Sequence, residues 1–140
     1  TGKQTMRYML DTNICIHLIQ RHPPGVSARF RELRHGDVVM SAITHAELRY
    51  GVERCIAAIR DGADRALRGL IEDIPVLPFD ADAGDAYGVL RATVSDRKRD
   101  ALDRLIASHA LSRRLILVTN NEADFKDYPG LRMENWVPGA

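Results

Sequence analysis

Asp11, Glu47 and Asp103 are the residues of this chain best suited to metal chemistry. Asp11 follows the apolar run Tyr8-Met9-Leu10 and opens Asp11-Thr12-Asn13, after which Ile14-Cys15-Ile16-His17-Leu18-Ile19 takes up a helical pattern. That places a carboxylate at the carboxyl end of a first strand, the edge at which open α/β sheets bind ligands. If the two later acids fold to the same place, three carboxylates with no cation among them would repel, and at least one would take up a proton. A divalent metal resolves that conflict. Carboxylate-only ligation suits Mg²⁺ or Mn²⁺, which keep several waters and leave room for a phosphate oxygen.

Each acid also has a local structural reading. Asp11 serves equally as an N-cap, accepting from the free amides of the helix behind it. Thr44-His45-Ala46-Glu47 has capping-box spacing, with Glu47 reaching back to the Thr44 amide, and on local grounds this reading is favoured. Asp103 shares a helix face with Ile106, Ala107 and Ala110, so it heads an apolar stripe; its alternative is an ion pair with Arg99, one turn earlier. The five histidines show no His-Glu-x-x-His or paired spacing, which argues against zinc and against a histidine-driven reaction.

The elements that must carry these acids alternate between short β-like runs and longer helical ones, the pattern of a parallel sheet flanked by helices. Strands are expected at Tyr8–Leu10, Val38–Ser41, Val76–Leu77 and Leu115–Thr119, with Leu131–Met133 as a weaker last one. Helices are expected at Ile14–Gln20, Val26–Leu33, Thr44–Arg60, Ala63–Asp73, Ala81–Ser95 and Ala101–Ser112. Asp61-Gly62 is read as a break, like Pro23-Pro24, Pro75, Pro78 and Pro129-Gly130.

Composition fits one soluble domain. The 140 residues are 45% hydrophobic and 28% charged, enough to bury a sizeable core and too apolar for disorder. Twenty Lys and Arg against nineteen Asp and Glu give a net charge of +1, so any nucleic-acid binding must come from local clusters. Cys15 and Cys55 are far apart and read as reduced, core-facing thiols of a cytosol. No apolar run is long enough to cross a bilayer. Residues 1–5 read as an expression remnant.

Four segments carry a resemblance. Tyr8-Met9-Leu10-Asp11-Thr12-Asn13, Ser41-Ala42-Ile43-Thr44-His45-Ala46-Glu47-Leu48-Arg49-Tyr50-Gly51, Asp103-Arg104-Leu105-Ile106-Ala107-Ser108-His109-Ala110 and Val118-Thr119-Asn120-Asn121-Glu122-Ala123-Asp124-Phe125 follow in the order found in PIN-domain nucleases. More narrowly, they are similar to VapC-type toxins of bacterial toxin–antitoxin pairs. Each motif is weak alone, and the four in order are a strong signal. The resemblance runs from about Met6 to Trp136. It implies a single PIN domain over residues 6–137, a three-layer α/β/α sandwich around a short parallel sheet of four to five strands.

Residue by residue, the resemblance puts the family's first, second and third acids on Asp11, Glu47 and Asp103. Asp11 and Asp103 become the principal metal ligands, and Glu47 an outer-sphere ligand or a group positioning the attacking water. Thr119 falls on the hydroxyl residue that closes the fourth strand beside the site, and Asn13 on a neighbour orienting Asp11. The departure is Asn121, where many PIN domains have a fourth acid. This puts a second metal in doubt, with Glu122 or Asp124 as the substitutes, although both read equally as the acidic first turn of a short helix.

The implied activity is Mg²⁺-dependent hydrolysis of phosphodiester bonds in structured RNA, a tRNA or an rRNA loop, with Mn²⁺ able to substitute. Implied partners are a small VapB-like antitoxin, a second copy of the chain, and a heterotetramer or larger complex with the antitoxin, in the bacterial cytoplasm. Ile56-Ala57-Ala58-Ile59 and Leu67, Leu70 and Ile71 serve either such contacts or the core. Arg49, Arg99 and Arg104 are candidate contacts to RNA phosphates. Trp136 reads as an anchor for the C-terminal end. Two rivals remain: a PIN-like module that binds RNA without cutting it, and an aspartyl phosphatase using Asp11 as nucleophile, which lacks the expected second acid at Asn13.

Overall fold

Tyr8-Met9-Leu10 is apolar throughout, as a central parallel strand covered on both faces should be, and all three residues are buried. In the computed structural model, which describes residues 6–94 and 101–137, this strand, β1 (Tyr8–Leu10), is the middle of a five-stranded parallel sheet. The other strands are β2 (Val38–Ser41), β3 (Val76–Leu77), β4 (Ile116–Val118) and β5 (Met133–Glu134), in the order β3-β2-β1-β4-β5. Leu10 lies opposite Met40 on one side and Val118 on the other.

Side chains alternate across a strand, so the sheet builds two cores. Tyr8, Leu10, Val38, Met40 and Val118 pack with residues of α1 (Thr12–Gln20), α2 (Pro24–Arg31), α3 (Ala42–Glu53) and α4 (Ala57–Asp73). Met9, Val39 and Leu117 pack with α5 (Ala81–Thr93), α6 (Ala101–Ser112) and α7 (Glu122–Phe125) on the other face. The result is the expected three-layer α/β/α sandwich. Because β1 pairs with β2 on one side and β4 on the other, the connections diverge there. The carboxyl ends of β1 and β4 are therefore the topological switch point, the place where open α/β sheets bind ligands.

Several boundaries differ from the sequence expectation, most by one or two residues. The single helix over 44–60 is instead α3 and α4, separated at Arg54-Cys55-Ile56, and Asp61-Gly62 lies inside α4. Glycine inside a helix costs only about 1 kcal/mol, and burial of Leu67 with Ala63, Leu70 and Ile71 outweighs it. The actual corner is closed by the Arg60 guanidinium, which donates to the Cys55 carbonyl at 2.8 Å. The last strand is Met133–Glu134, where pairing with Leu117 and Val118 sets the register. Trp136 stands edge-on to Tyr8, with ring centroids 5.4 Å apart, and holds down the C-terminal end as expected. Leu67, Leu70 and Ile71 belong to the core, whereas Tyr50, Ile56 and Ile59 are exposed.

Candidate active site

Asp11 is both a cap and a buried acid. Its backbone amide donates to the Val118 carbonyl at 3.0 Å, which continues the β1–β4 ladder by one residue. Its Oδ1 then accepts from the Ile14 amide at 3.0 Å, starting α1. The N-cap reading and the site reading are therefore compatible. Only 5% of Asp11 is exposed. Burial pushes its carboxyl above the ordinary carboxylate value, and the charge of Glu47 pushes the same way. The Thr119 hydroxyl and the amides of Ile14 and Asn13 oppose this by donating to it. Thr119, fully buried at the end of β4, also accepts from the Asn121 amide at 2.9 Å. It occupies the place the resemblance gave it.

Glu47 reaches this site from α3. Its Oε1 accepts from the Thr12 hydroxyl at 2.6 Å, joining residues 35 positions apart. The capping-box reading is overturned. Ser41, not Thr44, caps α3, accepting from the Ile43 amide at 3.1 Å, so Thr44 is already inside the helix and Glu47 lies a turn further on. Thr12 was missed by sequence reasoning. Its signal was its position, the first residue of the helix capped by Asp11.

Asp103 stands in the first turn of α6 and is half-buried. This helix packs on β2 and β4 and feeds β4, so it runs antiparallel to the strands and starts at their carboxyl edge. His109 fixes the level: its Nδ1 lies 2.7 Å from Oγ of Ser41, the last residue of β2. Asp103 is six residues nearer the start, about 9 Å further along the axis. Among the described residues, however, no three His, Cys, Asp or Glu side chains form a ready metal cage. The structure joins Asp11, Glu47 and Thr119, and it brings Asp103 to the same edge without closing the expected three-acid cluster.

This arrangement of strand ends is shared with known proteins. The PIN domain family model matches residues 8–131. The chain belongs to the PIN-domain family. A tRNA(fMet)-specific endonuclease VapC of Shigella flexneri is 41% identical over 133 residues, spanning 94% of this chain and 98% of that protein. Among solved structures, VapBC2 of Rickettsia felis bound to a promoter DNA fragment superposes with a TM-score of 0.82 at 34% identity, covering 94% of this chain and 99% of that one. DNA-bound VapBC of Salmonella typhimurium gives a TM-score of 0.82 at 36% identity, with 94% and 98% covered.

The remaining candidates of this PIN domain divide by their surroundings. Arg49 is held by Asp64 at 2.8 Å and Glu53 at 3.4 Å, so it ties α3 to α4 and is not a free phosphate contact. Arg104 is only 3% exposed, since it follows Asp103 onto the inward side of α6, and it does not form part of an open basic rim. Arg99 lies outside the described residues. Asn13 is exposed and acts on Asp11 through its backbone amide. Asn121, Glu122 and Asp124 are exposed at α7, as the first-turn reading anticipated. Burial raises the Cys15 thiol far above its ordinary value, and nearby Asp11 adds to this, so Cys15 is no nucleophile. A groove of about 590 Å³ between α1, α2 and α4, lined by Leu18, Arg21, Phe30 and Arg65, contains none of the site acids.

Proposed function

We propose that this chain is a metal-dependent endoribonuclease, the toxin of a bacterial toxin–antitoxin pair, and that it hydrolyses phosphodiester bonds in a structured RNA, a tRNA or an rRNA loop. The observation that carries the reading is the buried Asp11 carboxylate at the diverging strand ends, with the Glu47 charge beside it. Mg²⁺, with Mn²⁺ as substitute, fits this donor set. Such ions bind through one or two carboxylates and keep several waters, so a closed cage is not required. Asp11 is the principal ligand, and Asp103 is assigned as the further one on the strength of its place at the start of α6. Glu47 positions the attacking water.

Bound there, a divalent cation supplies Lewis-acid activation of water and neutralises charge on the scissile phosphate. The chain's own part is to hold the acids still. The Thr119 hydroxyl and the α1 amides favour the ionised form of Asp11 against the effect of burial, and α3 presents Glu47 alongside. The Shigella relative's name specifies a tRNA, which favours a tRNA as substrate here. A VapB-like antitoxin is inferred in the same way from the VapBC complexes, and a homodimer and a cytoplasmic location are carried over from the family resemblance alone. Exposed Tyr50, Ile56 and Ile59 offer apolar surface for such contacts.

The test is cleavage of tRNA and rRNA fragments with Mg²⁺ or Mn²⁺. Chelation should abolish cutting, and Asp11→Asn and Asp103→Asn should each lower the rate on the order of a hundredfold or more. Cleavage that survives chelation and both substitutions would falsify the reading. Folded protein that binds RNA and never cuts it would instead identify a binding module.

A further inference from the structure

We propose that Thr12 is a positioning residue for Glu47, the group that holds this acid beside Asp11 and fixes the orientation of its carboxylate. The inference rests on the metal-dependent reading above and assigns the residue that orients its second acid. Thr12 is the first residue of α1, directly after the capping Asp11, so its backbone is fixed by the same turn that fixes Asp11. Its hydroxyl donates to Glu47 Oε1 at 2.6 Å, a length typical of a hydrogen bond to an ionised carboxylate. Arg49, one half-turn on, is turned away to Asp64 and Glu53.

Glu47 is only half-buried and sits at the end of three rotatable bonds. Without Thr12, its like charge beside Asp11 would drive it toward water. With Thr12, one lone pair of Oε1 is engaged and the orientation of the carboxylate is fixed, which leaves Oε2 to accept from a water. Were a cation bound beside Asp11, Glu47 held in this way would orient such a water. A threonine is well chosen for this, because its branched side chain has few rotamers in a helix.

The experiment compares Thr12→Val, which keeps the shape and removes the donor, with Thr12→Ser, which keeps the donor. Three quantities are measured: Mn²⁺ affinity by calorimetry on RNA-free protein, kcat and KM for RNA cleavage, and thermal stability. Thr12→Val should weaken Mn²⁺ binding and lower kcat by about tenfold, the range found when groups behind a metal ligand are removed. KM should stay within about twofold, and Thr12→Ser should recover most of both losses. Loss of activity only in step with loss of folded protein, or a serine variant no better than the valine one, overturns the proposal. If the parent binds Mn²⁺ and cleaves RNA and Thr12→Val does both equally well, Thr12 is not the positioning group and the metal reading stands. If the parent neither binds Mn²⁺ nor cuts RNA, both are overturned.

Discussion

Asp11 caps α1 and is proposed as a metal ligand, two roles whose demands differ. As a cap it needs only an acceptor, and asparagine satisfies the Ile14 amide as well as aspartate does. As a metal ligand it must be charged in a place where burial and Glu47 both disfavour charge. A raised carboxyl value in the folded state means that ionising Asp11 weakens the metal-free fold, an effect absent below the ordinary value, growing as pH rises from there and complete once pH has passed the native value. Asp11→Asn should therefore raise the melting temperature of the metal-free protein at neutral pH. Millimolar Mg²⁺ should raise the melting temperature of the parent and leave that of the variant unchanged. Differential scanning fluorimetry with and without chelator reads both, and a variant that melts below the parent in chelator would count against buried charge at this position.

The elements show the same economy: each helix that bears an acid starts at a strand's carboxyl edge. Ser41 ends β2, caps α3 and meets His109 of α6, so one hydroxyl relates the carriers of Glu47 and Asp103. The α3–α4 corner at Arg54-Cys55-Ile56, with Arg49 bridging to Asp64, then fixes the far end of α3. Since Gly62 lies within α4 rather than at this corner, a methyl group there meets only the flexible tip of Arg65 at 3.9 Å. Gly62→Ala should stabilise the protein by about 0.5–1 kcal/mol without altering cleavage, as judged by urea denaturation. Destabilisation would place the break where the sequence first suggested it.

For the molecule as a whole, acid sensitivity should trace to the centre of the α6 face. His109 is fully buried between Ser41 and the Phe79 ring, whose centroid lies 5.4 Å away, with Asp80 and Arg113 the charged groups acting on it. Burial holds its imidazole below the ordinary value, despite an opposing effect of Asp80, so the native ring is neutral where the unfolded one has taken up a proton. The unfolded chain then binds more protons, and stability falls as pH drops below about 6.5 toward the depressed native value. Urea denaturation between pH 7.5 and 5 should show this decline in the parent. The slope should be shallower in His109→Gln, whatever that variant's absolute stability. An identical slope would assign the acid sensitivity to other groups.

Much of this was legible along the chain. Tyr8-Met9-Leu10-Asp11 announced a buried strand with an acid at its end, because apolar runs and capping residues are local signals that burial then enforces. The α6 stripe was visible for the same reason, whereas Thr119 was singled out only through the family resemblance. Glu47 was named as a site acid, but its local surroundings were misleading, since Thr44-x-x-Glu47 imitates a capping box and only the position of β2 makes Ser41 the true cap. The fates of the arginines were not legible: Arg49 could be assigned only once α4 brought Asp64 across to it, and Arg104 only once α6 had an inward side. The sequence by itself determined the elements, their order and the acids at their ends, because those depend on short-range periodicity and capping. The tertiary structure decided which oxygens meet, Asp11 with Thr119 and Glu47 with Thr12. Such contacts join residues far apart in the chain, and their geometry follows from strand order and helix packing that no local pattern encodes.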